Sequence, residues 1–124
     1  MHAFKRKIRP HVEAELERSE RALRGRDAAM AFSALERAHV LGQSVTSLHV
    51  RVHWRMFTFG WRQRNPRECA GQVLRLVGAA TKTAFGLVPA GNTGGSNVSP
   101  FRALPVEPEL AARIAVASRS EPDA

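Results

Sequence analysis

Leu35–Trp61 reads LERAHVLGQSVTSLHVRVHWRMFTFGW, and its periodicity decides the fold. Up to Leu41 it is the end of one helix. Gly42 is a stop signal, and from about Thr46 a second helix begins. His39 lies three residues before the glycine, His49 seven after it, and His53 one helical turn beyond His49. Two helices joined by so short a turn fold back antiparallel. All three imidazoles then meet at one level near the turn.

The wheel of the second helix, about residues 46–63, is the most informative in the chain. Ser47, Arg51, Arg55, Thr58 and Arg62 share one narrow arc. Val45, Leu48, Val52, Met56 and Phe59 form one apolar flank, and Val50, Trp54, Phe57 and Trp61 the other. His49 and His53 fall between these flanks, opposite the arginines. A helix this apolar is expected to be the central, most buried one, with its histidines pointing inward. On the preceding helix, about 28–41 with Asp27 as N-cap, Ala28, Ala31, Phe32, Leu35 and Ala38 make one arc that includes His39. Glu36 sits at its boundary.

Working outward, Pro10 suits the first turn of a helix over 10–24. Its apolar stripe is Val12, Leu16, Ser19 and Leu23, and Gly25 ends it. Asn65 and Pro66 start a fourth helix, about 66–85, whose inward residues are read as Cys69, Val73, Leu76, Val77, Ala80 and Ala84. No carboxylate of this helix is expected at the histidine level. Residues 86–107 hold clustered glycines and three of the seven prolines, so they read as an irregular arm. A short helix follows over 108–116, then a disordered tail, 117–124. The expected fold is all-α: one domain, residues 1–116, built as an antiparallel up-down bundle of about four helices with a Gly/Pro-rich C-terminal arm. His11, Glu13, Glu17, Glu36 and the three histidines share one end of it, and Cys69 lies at the other.

Composition bounds the function. The apolar runs fall far short of the roughly 20 residues of a membrane span, and the basic start MHAFKRKIRPH lacks the apolar stretch of a secretory signal. The single cysteine, Cys69, allows no intrachain disulfide and fits a reducing compartment. Together these read as a cytoplasmic protein with no membrane partner. A formal charge of +8 comes entirely from residues 1–75. Most of its arginines alternate with acids, as in ERSERALRGRD, so a solvated surface explains it better than a nucleic-acid partner.

Chemistry concentrates on the histidines. His49 and His53, at i and i+4, share one helix face, a common arrangement for two metal ligands. His39 supplies a third. Buried neutral imidazoles need partners at both nitrogens. The alternative to an ion is a polar network with Glu36, Thr46, Gln43 or backbone carbonyls. Glu36-x-x-His39 has the spacing of carboxylate-bridged di-metal bundles but occurs once, which favours a mononuclear site with Glu36 as fourth ligand or orienter. Zinc suits imidazole and carboxylate; iron, copper and cadmium are the alternatives, copper because Met56 lies one turn beyond His53. The loop Gly91–Asn97 lacks the Gly-Lys-Ser/Thr ending of a phosphate loop and reads as a tight turn or a lid over the histidines.

The blocks RAHVLGQ (37–43), HVRVHW (49–54) and VPAGNTGGSNVSPF (88–101) resemble a small bacterial family of unknown function, numbered 3703, over about Arg9 to Pro108. The resemblance implies a short cytosolic helical protein. It coincides with the same His39, His49 and His53 and with the Asn/Gly loop, and it implies no chemistry.

From the residues, the expected function is metal binding, for sensing, storing or buffering a transition metal. One rival is a metal-dependent enzyme, hydrolytic or redox, using the same cluster. Another is an interaction module binding a protein or nucleic acid through its arginine face, and a homo-oligomer is compatible with either reading.

Overall fold

A computed structural model describes residues 2–82, 92–95 and 103–119. Its described residues form helices and connections only. The helices are α1 (His2–Arg24), α2 (Ala28–Gly42), α3 (Thr46–Arg62), α4 (Pro66–Lys82) and α5 (Pro108–Ser118). Expected features at 83–91, 96–102 and 120–124 lie outside the described residues. These include the end of the fourth helix at 85, Ala84, most of the arm and the end of the tail.

Two hairpins, α1–α2 and α3–α4, pack side by side through α2 and α3. Pairings along each contact run in opposite senses: Ser19 Oγ donates to the Ala31 carbonyl while Glu15 meets Arg37, and His53 meets Gln72 while Cys69 Sγ lies 3.8 Å from the Phe57 carbonyl. The up-down order is therefore as expected. Among the helices, α4 packs on α3 alone, and α5 returns to α1 and α2. No described helix is long and apolar enough to cross a membrane.

Both hairpins close in the same way. Arg26 and Arg64 adopt left-handed backbone conformations, at φ +57° and +54°. The next residue then reaches back into the helix, Asp27 N–H to the Ala22 carbonyl and Asn65 N–H to the Gly60 carbonyl, which satisfies end carbonyls. Asp27 and Asn65 next cap the following helix by accepting from the N–H of Met30 and Glu68. Both caps match the sequence reading, but the left-handed residue of the first turn is Arg26, not Gly25. Gly42 also differs. Its successor Gln43 is right-handed, at φ −65°, so no left-handed stop operates there. What Gly42 supplies is room, since a Cβ would sit 3.1 Å from that of Leu48.

Three further expectations are corrected. The first helix starts at His2, with Pro10 inside it. An internal proline disfavours a helix by about 3 kcal/mol. Here Ile8, one turn earlier than the expected stripe, is fully buried, and Phe4 packs on the core. That burial holds the extra turns. On α3, only the Val45/Leu48/Val52/Met56 flank is buried, with Phe59 packed against it. Trp54 and Trp61 are 53% and 72% exposed, because α2 and α4 occupy the other sides. On α4, Glu68, Gln72 and Ala79 are buried, whereas Val73, Leu74 and Val77 are exposed. Polar satisfaction sets this rotation: Gln72 is fully buried and hydrogen-bonds to His53, Glu68 and the Gly94 carbonyl inside the fold. Rotating an apolar residue into its place would strand those groups.

Arg37 fastens α5. Its guanidinium meets Glu15 at 2.9 Å, Glu107 at 2.9 Å and Glu109 at 3.1 Å, joining α1, α2 and the segment that starts α5. The arginine arc of α3 is similarly engaged. Arg51 pairs with Glu13, and Arg55 and Arg62 with Glu20, so α1 neutralises much of that face.

Candidate metal centre

His39, on the last turn of α2, and His49 and His53, on the first turns of α3, are buried to 3–4% exposure. The short 43–45 connection folds the two helices together at that level, as the wheels predict. The three Nε2 atoms form a nearly equilateral triangle, with edges of 3.0, 3.1 and 3.0 Å. The rings meet edge to edge rather than stacked, at interplanar angles of 70°, 69° and 45°. Among the described residues, this trio is the one group of His, Cys, Asp or Glu side chains placed to hold a metal ion.

Their tautomers follow from what lies behind them. The Nδ1 of His39 is 2.5 Å from the Asn92 carbonyl. A carbonyl only accepts, so Nδ1 carries the proton and a neutral His39 has a bare Nε2. His53 is fixed through Gln72. The Gln72 amide nitrogen donates to Glu68 Oε1 at 2.8 Å and to the Gly94 carbonyl at 2.9 Å. Its Oε1 therefore faces His53, at 2.6 Å from Nδ1, and accepts that proton. The Nε2 of a neutral His53 is also bare. Two lone pairs thus face one another across 3.1 Å with no proton between them.

Protonating His39 is a poor remedy for this repulsion. Burial, reinforced by the neighbouring His53 and His49, holds His39 well below the usual histidine range, against the opposing effect of its hydrogen bond to the Asn92 carbonyl. His39 thus resists becoming an imidazolium, while its Nε2 lone pair remains available to an ion.

The Asn92–Gly95 loop is part of this centre. Gly94 N–H donates to Asn92 Oδ1 at 2.9 Å, which shapes the turn. Gly94 has φ +83°, and a Cβ there would lie 2.4 Å from His39 Cδ2. Only glycine combines that backbone with that approach. The lid reading of the loop is thereby made concrete: it covers the His39 ring and supplies its hydrogen-bond acceptor.

Glu36, three residues before His39 on α2, lies outside the group of ligating atoms. Burial raises its pKa, a hydrogen bond from Thr93 opposes that, and the charges of Glu68 and Glu107 add to the rise. Its observed link is thus to the loop. Sequence reasoning missed Gln72 and Glu68. The latter is 8% exposed on α4 and corrects the expectation that this helix brings no carboxylate near the histidines. A signal was present: Glu68 and Gln72 are spaced i, i+4 on one face, as are His49 and His53. Of the partners expected for a metal-free network, a backbone carbonyl, that of Asn92, does hold His39 Nδ1, whereas the acceptor behind His53 Nδ1 is Gln72 and neither Thr46 nor Gln43.

Fold and site define an all-helical protein with a buried three-histidine group that could hold a metal ion. Over residues 6–114 the chain matches the family described as protein of unknown function (DUF3703), and it belongs to that family. No curated protein and no solved structure matches it.

Proposed function

We propose that this protein binds a single transition-metal ion through Nε2 of His39, His49 and His53. The supporting observation is the pair of bare Nε2 atoms of His39 and His53, 3.1 Å apart, each fixed by an acceptor behind its ring. Removing the Nδ1 protons from contention and converging the Nε2 lone pairs is how metal-ligating histidines are oriented. The triangle is slightly tighter than the edges of about 3.3 Å that tetrahedral zinc with imidazole bonds of about 2.0–2.1 Å would give. Sub-ångström spreading therefore admits the ion.

Zinc is the proposed ion, as three imidazoles without a thiolate suit it; iron, copper and cadmium are competitors in the same assay. Glu36 acts as an orienter through Thr93 and the loop rather than as a ligand. The biological role is handling of that ion, by sensing, storage or buffering. The test is equilibrium titration of metal-free, untagged protein with zinc, competed against a chromogenic chelator, alongside the His49→Ala/His53→Ala double variant. Tight binding of one ion per chain, abolished in the variant, supports the reading. Equal binding by both proteins overturns it.

A further inference from the structure

The three histidines approach an ion from one side. Bonds of about 2.0–2.1 Å to all three nitrogens place it about 1 Å out of their plane, and the opposite hemisphere needs another donor. Little among the described residues can provide a charged one. Among the described residues, the ligating group holds the three histidines only. Glu36 is engaged with Thr93, and Glu68 Oε1 accepts from Gln72. Residues 83–91 and 96–102, on either side of the loop that covers His39, contain no His, Cys, Asp or Glu. The groups that orient His39 and His53 are a backbone carbonyl and a carboxamide, so neither brings negative charge to the ion.

A divalent ion on three neutral nitrogens keeps its full charge. In a buried site that charge demands a counter-charge. Structural zinc sites close with four protein ligands, whereas three protein ligands leave a position for a solvent-derived one.

We infer that the bound ion carries an exchangeable small anion from solution as its fourth ligand, so that the centre is an open ligand-exchange site. This rests on the metal reading of the three histidines and goes beyond it by naming what completes the coordination. Hydroxide fills the position in plain buffer, and azide, a monoanionic nitrogen donor, displaces it.

Cobalt(II)-loaded protein tests this, since its visible spectrum reports both coordination number and ligand exchange. Azide is titrated into the cobalt form of the wild type and of Glu36→Gln, at constant pH and ionic strength. The expected result is a saturable shift of the visible bands, fitting one azide per cobalt, in both proteins. A cobalt spectrum insensitive to azide in both overturns the inference while leaving metal binding intact. A response confined to Glu36→Gln also overturns it, by showing that Glu36 closes the wild-type site. Failure of cobalt to bind, with failure of zinc in the chelator competition, removes the metal reading and this inference together.

Discussion

Gln72 Oε1 lies 2.6 Å from His53 Nδ1, and that contact connects the rotation of α4 to the chemistry of α3. The amide is held from its other end by Glu68 and by the Gly94 carbonyl. One fully buried side chain thus joins α3, α4 and the loop that covers His39. It also turns His53 Nε2 toward the other two histidines.

Replacing Gln72 by Leu keeps much of the volume and removes that acceptor. Loss of such an orienting partner lowers metal affinity by about 10–100-fold. The stranded Gly94 carbonyl and His53 Nδ1–H also cost about 1–3 kcal/mol of stability each at most. Chelator competition and urea unfolding of the same sample separate the two effects. Wild-type affinity in Gln72→Leu would show that tautomer control lies elsewhere.

Gly94→Ala addresses the loop. A left-handed backbone disfavours alanine by about 1–2 kcal/mol, and the new methyl must displace the His39 ring. Both stability and zinc affinity are expected to fall, with the affinity loss persisting under conditions where the variant is fully folded by circular dichroism. A variant that loses stability but binds zinc normally would separate the loop from the centre.

Metal-free protein should lose stability as the pH falls below about 6.5, the unperturbed histidine value. The sign follows from His39, whose folded pKa is depressed by burial and by its histidine neighbours. Between the two pKa values the unfolded chain takes up a proton that the folded chain refuses, so unfolding gains. Above about pH 6.5 neither state is protonated and the contribution is complete. Urea midpoints of apo wild type and His39→Gln, measured across this range, should differ in slope, at most about 1.4 kcal/mol per pH unit for one group. Parallel profiles would contradict the assignment.

Arg37→Ala should release α5. The guanidinium is 14% exposed and meets three carboxylates, of which Glu15 is buried and Glu107 and Glu109 are exposed. Breaking a buried pair costs about 3–5 kcal/mol, and the solvated acids add little, so about 3 kcal/mol is expected. Amide exchange should quicken over 108–118 before it does in α3. Unchanged protection of α5 would show that Leu110 and Ala117 hold it unaided.

The sequence makes the two helices around Gly42 and their histidines legible because both signals are local. Periodicity places His39, His49 and His53 on inward arcs, and a short turn leaves the helices one way to pair. Asp27 and Asn65 are legible for the same reason. The face of α4 is not. Val73 and Val77 read as part of a core stripe, yet the helix turns on Gln72 and Glu68, whose value depends on partners distant in sequence. Likewise, nothing near Asn92 shows that its carbonyl holds His39. Pro10 misleads in the opposite direction: its local preference for a helix start is overridden by the packing of Ile8 and Phe4.

The central claim is that the triangle of His39, His49 and His53 is a metal site and not a polar network. Elemental analysis of untagged protein after zinc reconstitution and removal of loose metal tests it most directly, with His49→Ala/His53→Ala beside it. The account predicts one zinc per wild-type chain and essentially none in the double variant. Sub-stoichiometric metal in the reconstituted wild type, at the level of the variant, would contradict it.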